Sequence, residues 1–166
     1  MRLFIAVQAD DAVKKALIAA MHSFKKQGIT GNYVPAQNLH MTLAFIGEVP
    51  DAAAAKAALG SIPAEAFRLS LDNIGYFGDL MYASVKGNQK IKKYVSDLRL
   101  ALKAQGLPCS SEKFVPHITM IRSMKGKRPQ EYRFPKTEMK VSRISLMKSE
   151  IKNGKTVYSE VYSVKV

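Results

Sequence analysis

Two hydrophobic periods alternate along the chain. Residues 3–7 are a continuous apolar run of strand length, closed by Gln8. From residue 11 to 26 the spacing turns helical, with Ala12, Ala16 and Ala19 on one stripe. Residues 38–46 and 67–74 read as strands. Between them an alanine-rich helix is expected over 51–59, with Asp51 as N-cap and Gly60 as stop. The same order then returns. Residues 81–85 read as a strand, and 88–104 as a helix with Ile91, Val95, Leu98 and Leu102 on one face. Residues 114–121, 139–147 and 156–164 read as further strands.

The recurrence extends to single residues. With residue 3 placed over residue 81, Lys14-Lys15 falls on Lys92-Lys93 and Gln27-Gly28 on Gln105-Gly106. Gly28 and Gly106 both sit where a helix is closed by a left-handed glycine. Two strand–helix–strand–strand units, about 1–80 and 81–166, predict a single bilobal domain. Its fold class is α+β: two pseudo-symmetric lobes, each a mainly antiparallel sheet with outer helices, around a central groove.

Inside this repeat lie two matching tripeptides, His40-Met41-Thr42 and His117-Ile118-Thr119, 77 residues apart. Threonine occupies only 5 of 166 positions. Two of the three histidines being followed by Thr two residues on is a coincidence of about 0.3%. On a strand, residues i and i+2 share a face, so each tripeptide presents an imidazole and a hydroxyl together. Two such strands across a groove supply two imidazoles that can hold opposite protonation states near neutrality. One can take a proton and the other give one on opposite sides of a phosphorus, while Thr42 and Thr119 donate to its free oxygens. The spacing does not say which histidine does which. Threonine is a poor metal ligand, so no metal and no cofactor are expected. His22, on the first helix, reads as a surface residue.

Charge supports the same direction. The chain has 26 Lys+Arg against 13 Asp+Glu, a net of +13. Residues 1–80 carry 7 basic and 7 acidic side chains, and residues 81–166 carry 19 and 6. So one-sided a field attracts polyanions. Arg122, Lys125, Lys127, Arg128, Arg133 and Lys136 form a candidate loop for steering a nucleic acid, or a solvated basic loop. The single cysteine, Cys109, excludes an internal disulfide framework. The early apolar run of five is too short for a signal peptide or a membrane span, which predicts a soluble, cytoplasmic protein.

These segments resemble the 2H phosphoesterase superfamily, and within it the RNA 2′,3′-cyclic phosphodiesterases, historically called 2′-5′ RNA ligases. The resemblance rests on residues 38–49 and 114–122, supported by 2–7 and 146–149. It implies a bilobal fold with both His-x-Thr motifs lining the groove. It also implies hydrolysis of a terminal ribose 2′,3′-cyclic phosphate to a 2′-phosphate. By the same resemblance His40 is the proton donor to the 3′ leaving oxygen and His117 the proton acceptor from water, with Thr42 and Thr119 on the phosphate. Arg122 is a candidate phosphate ligand or a rim ion pair. Phe45 is either a base-stacking or a core residue. Tyr33 stands where many family members have Trp, as a second candidate for stacking. Met120 replaces the usual Leu of the second motif. The implied partner is RNA with a 2′,3′-cyclic phosphate end, or a cyclic nucleotide, acted on by a monomer without membrane or metal. 2′-5′ ligation through the same site, or phosphate recognition without turnover, are the alternatives.

Overall fold

The computed structural model describes residues 1–86 and 89–166. Among the described residues, nine strands and three α-helices follow in the order β1 (Arg2–Gln8), α1 (Asp11–Lys26), β2 (Thr30–Tyr33), β3 (His40–Glu48), α2 (Ala53–Gly60), β4 (Phe67–Phe77), β5 (Leu80–Lys86), α3 (Gln89–Ala104), β6 (His117–Lys125), β7 (Glu138–Val141), β8 (Arg143–Lys152) and β9 (Lys155–Lys165). The expected first residue of the third helix, Asn88, lies outside the described residues.

Local chemistry explains the helix ends. Asp10 caps α1, its Oδ1 accepting from Val13 N at 2.9 Å. At the other end Ile29 N donates to Phe24 O and Gly28 N to Lys25 O, with Gly28 at φ +82°. The end of α3 repeats this bond for bond, Leu107 N to Leu102 O and Gly106 N to Lys103 O, with Gly106 at φ +74°. Both are six-to-one glycine closures. The buried face of α1 is Val13, Ala16, Leu17, Ala20, Met21 and Phe24. Ala12 and Ala19 lie off this face, because alanine is too small to mark a face when larger apolar residues follow another stripe. In α2 the cap position is Ala52, and Asp51 Oδ1 accepts from Ala53 N from one residue further out.

The strands form two antiparallel sheets, with orders β3-β1-β8-β9 and β2-β6-β5-β4-β7. Each is built from both halves of the sequence. The late strands β8 and β9 join β1 and β3, whereas β4 and β2 from the first half join β5 and β6. The expected strand over 139–147 is therefore two strands in different sheets. The positions that join the main core explain the break: Met139 and Val141 are odd, Ile144 and Leu146 even, and one continuous strand cannot present both sets to the same core, Ser145 and Met147 being buried on the other face of β8. Residues 114–116 precede β6 rather than joining it, consistent with Pro116 lacking a ladder donor. The four-residue β2 has no apolar alternation to announce it.

The helices and the inner faces of both sheets enclose one large core, including Leu3, Ile5, Leu17, Phe24, Met81, Leu98 and Met120. On the opposite face of β1, Phe4 and Ala6 form a small cluster with Met147, packed against Tyr158. Strand β3 of one sheet lies against β6 of the other, so both His-x-Thr segments sit at the seam.

Candidate active site

Each motif strand begins with its histidine and carries an extra residue just past its threonine; β3 carries a second at Ile46. In the β1–β3 ladder Ala6 faces Thr42 but Ile5 faces Ala44, which leaves Leu43 unmatched. In the β5–β6 ladder Tyr82 faces Thr119 but Met81 faces Ile121, which leaves Met120 unmatched. These are bulges at equivalent positions, and each reverses the facing of the residues beyond it. Strict alternation would send residue 45 to the core with Met41 and Leu43. After the bulge, Phe45 instead emerges beside Phe4 and is 61% exposed. By the same shift Arg122, its counterpart 77 residues on, is exposed on β6. Phe45 is therefore no core residue.

Both imidazoles are held the same way. His40 Nδ1 lies 2.6 Å from Asn38 O, and His117 Nδ1 lies 2.6 Å from Val115 O. A carbonyl can only accept, so each Nδ1 carries the proton and each Nε2 is left as the working nitrogen. His40 Nε2 is 3.1 Å from Thr42 Oγ1. Thr119 is half-buried on the same face of β6 as His117.

Aromatic rings bracket each histidine. His40 meets Phe4 at 5.0 Å and Tyr158 edge-on at 5.2 Å. His117 meets Tyr82 at 5.1 Å and Phe77 edge-on at 5.2 Å. Phe4 and Tyr82 are matched by the sequence repeat. Tyr158 and Phe77 come from non-equivalent strands, β9 and β4, and nothing in the sequence singled them out. Burial holds the His40 pKa below 6.5, opposed by the bond to Asn38 O and reinforced by the positive charges of Arg122 and His117.

The groove consists of two cavities that share Phe45. One, of about 750 Å³, is lined by His40, Phe4, Phe45, Arg122 and Tyr158, with Arg2, Glu48 and Glu150 at its rim. The other, of about 250 Å³, is lined by Thr42, Phe45, Phe77, Arg99, Phe114 and His117. Thus His40, Thr42, Phe45, His117 and Arg122 line this groove. Tyr33 lines neither cavity. Its hydroxyl donates to Ile29 O at 2.7 Å and its ring carries the Lys25 ammonium at 4.6 Å. Of the six cations read as a steering loop, Arg122 alone lines a groove cavity. Arg128 is held on the Tyr76 ring, whose hydroxyl donates to Pro129 O. Among the described residues, no three His, Cys, Asp or Glu side chains gather as a metal site, and no helix is long and apolar enough to cross a membrane.

Comparison with known proteins agrees with this geometry. The model of the 2′-5′ RNA ligase superfamily matches residues 9–153. An RNA 2′,3′-cyclic phosphodiesterase of Thermotoga maritima is 28% identical, over 98% of this chain and 94% of its own length. A crystal structure from Thermus thermophilus superposes with a TM-score of 0.83 at 26% identity, covering 99% of this chain and 97% of the other. Escherichia coli LigT, solved with 3′-AMP, gives 0.79 at 26% identity, covering 99% and 96%. The length of the match and the paired histidine strands lead to one assignment: the chain belongs to the 2′-5′ RNA ligase superfamily of 2H phosphoesterases.

Proposed function

We propose that the protein hydrolyses the 2′,3′-cyclic phosphate at an RNA 3′ end, or of a cyclic nucleotide, to a 2′-phosphomonoester without a metal. The observation that carries this is the matched pair of imidazoles. Each donates Nδ1–H to the carbonyl two residues upstream, and both stand in one groove with a threonine beside them. The relatives named RNA 2′,3′-cyclic phosphodiesterase support the substrate.

In this reading the phosphate lies between the two Nε2 atoms. His117 takes a proton from water as the water oxygen bonds to phosphorus. The bond from phosphorus to O3′ breaks on the opposite side, and His40 gives its proton to that oxygen. The product keeps its phosphate on O2′, and the proton left on His117 returns to His40 through solvent. Thr42, Thr119 and Arg122 hold the non-bridging oxygens. The nucleoside occupies the larger cavity beside His40, against Phe45. Burial lowers the His40 pKa in the free protein and the charges of Arg122 and His117 add to this, and the negative charge of a bound phosphate opposes those two charges. All these groups come from one chain, which supports action as a monomer.

The test is incubation of a short RNA ending in a 2′,3′-cyclic phosphate, in EDTA, followed by phosphorus NMR. A 2′-phosphomonoester is expected. His40→Ala and His117→Ala each reduce turnover by about 10²–10⁴ with the fold retained. An untouched cyclic phosphate, or full turnover in both variants, overturns the proposal.

A further inference from the structure

The His117 side of the groove does not end at the histidine. Its cavity shares Arg99, Cys109, Ser110 and Phe114 with a third cavity of about 630 Å³ that runs along α3. That third cavity is lined by Lys92, Ser96, Arg99 and Lys103, spaced at four, three and four residues and so forming one stripe. Leu100, 66% exposed, lies beside it.

Ion pairing separates this stripe from the rest of the helix. Lys90 pairs with Glu65 at 3.2 Å and Lys93 with Asp97 at 2.8 Å, both off the stripe. Among the described residues no carboxylate lies within ion-pair reach of Lys92, Arg99 or Lys103. Arg99 donates to a main-chain oxygen, Glu112 O, at 2.6 Å, which fixes its place and leaves its charge intact. With Lys113, four cations line these two cavities against one carboxylate, Glu112. The cavity beside His40 carries charges of both signs instead, Arg2 and Arg122 with Glu48 and Glu150, and these carboxylates are paired with the N-terminal ammonium at 3.4 Å and with Lys148 at 3.5 Å.

From these observations we infer that α3 and the following loop form a track for single-stranded RNA upstream of the cyclic end. The inference rests on the reading that the terminal nucleoside sits beside His40. From there the chain can leave over the rim that carries Glu48 and Glu150, or over Phe45, which lines both groove cavities. The first exit offers phosphates only cations already offset by carboxylates, whereas the second draws them with cations that no carboxylate pairs among the described residues. Past Phe45 they meet Lys113 and Arg99, with Lys103 and Lys92 on either side of Arg99 along the stripe. Phe114, shared by the two cavities, and Leu100 offer apolar surface to the bases.

The test compares a cyclic mononucleotide with RNAs of increasing length, all ending in a 2′,3′-cyclic phosphate, for the native protein and Lys92→Glu/Lys103→Glu. Lys14→Glu/Lys15→Glu, on α1, makes the same charge change elsewhere. For the native protein kcat/KM rises with RNA length. The α3 variant loses this rise by about 10-fold or more and its salt slope shrinks by about 1.4, while the mononucleotide rate holds. The α1 variant keeps the length dependence. An unchanged length dependence in the α3 variant overturns the track. So does an equal loss in the α1 variant, which would assign the effect to net charge. If the native protein opens no cyclic phosphate, the proposed reaction fails separately, and fluorescence anisotropy with the same RNAs decides the track. Weaker binding by the α3 variant alone supports it, and equal binding refutes it.

Discussion

At the scale of single residues the site depends on how two protons are parked. The carbonyls of Asn38 and Val115 take the Nδ1 protons, so the reacting face of each ring is decided by main chain rather than by a mobile carboxylate. The histidines then differ through their surroundings. Burial lowers the pKa of His40 in the free protein, with Arg122 adding to the effect. A group with a depressed pKa binds fewer protons folded than unfolded. Its contribution to stability is therefore present above the ordinary imidazole value and is lost as pH falls toward the folded one. A proton NMR titration should place His40 below 6.5 and move it upward when a phosphomonoester binds. Arg122→Gln removes one of the depressing charges, so the His40 pKa should rise while kcat/KM falls by about 10-fold or more. If His40 titrates at the same pH in both proteins, the guanidinium does not act on it. The histidines and threonines were legible in the sequence because two tripeptides coincide with a repeat. The brackets Tyr158 and Phe77 were not, because residues that meet across sheets leave no spacing signal along the chain.

At the scale of elements, the bulges at Leu43 and Met120 matter most. Without them Phe45 and Arg122 would face the core, and the groove would lose one aromatic and one cationic side chain. Periodicity cannot reveal a skipped residue, so the sequence left Phe45 open between two roles. The helices were more readable. The 3.6-residue pattern of α3 and the paired closing glycines name their own geometry, whereas the alanine stripe of α1 misled because small residues mark no face. A second element-scale device lies under His117. Gly75 of β4 faces Tyr82 of β5, whose ring lies across the space a β-carbon at 75 would need. Gly75→Ala must therefore displace the ring that packs on His117. The expected result is a fall in kcat of about 10-fold or more, with the core intact by circular dichroism. Native kcat in that variant would show that Tyr82 does not position the histidine.

At the scale of the whole molecule, the repeat in the sequence and the division of the sheets do not coincide. Similarity of residues shows which segments correspond, but strand pairing depends on which edges meet in three dimensions, and β8 carries no mark saying it will pair with β1 rather than β5. The charge excess was legible as belonging to residues 81–166, but its gathering into one unpaired stripe along α3 needed the fold. The exchange of strands makes each half depend on the other: residues 1–79 lack β8 and β9 for their sheet, and residues 80–166 lack β4 and β2 for theirs. Produced separately, the two pieces should show little tertiary signal by near-ultraviolet circular dichroism, and mixing them should restore it. Two independently folded pieces would show that the pairing across halves is dispensable.

The same exchange orders events during synthesis. The strand bearing His40 is made early, yet its sheet waits for β8 and β9, and Tyr158, which braces the ring, lies in the last strand of all. A ribosome-bound chain thus carries both histidines before it has the strands that complete the sheet around His40, and the proposed acid–base chemistry has to wait for β8 and β9 to emerge.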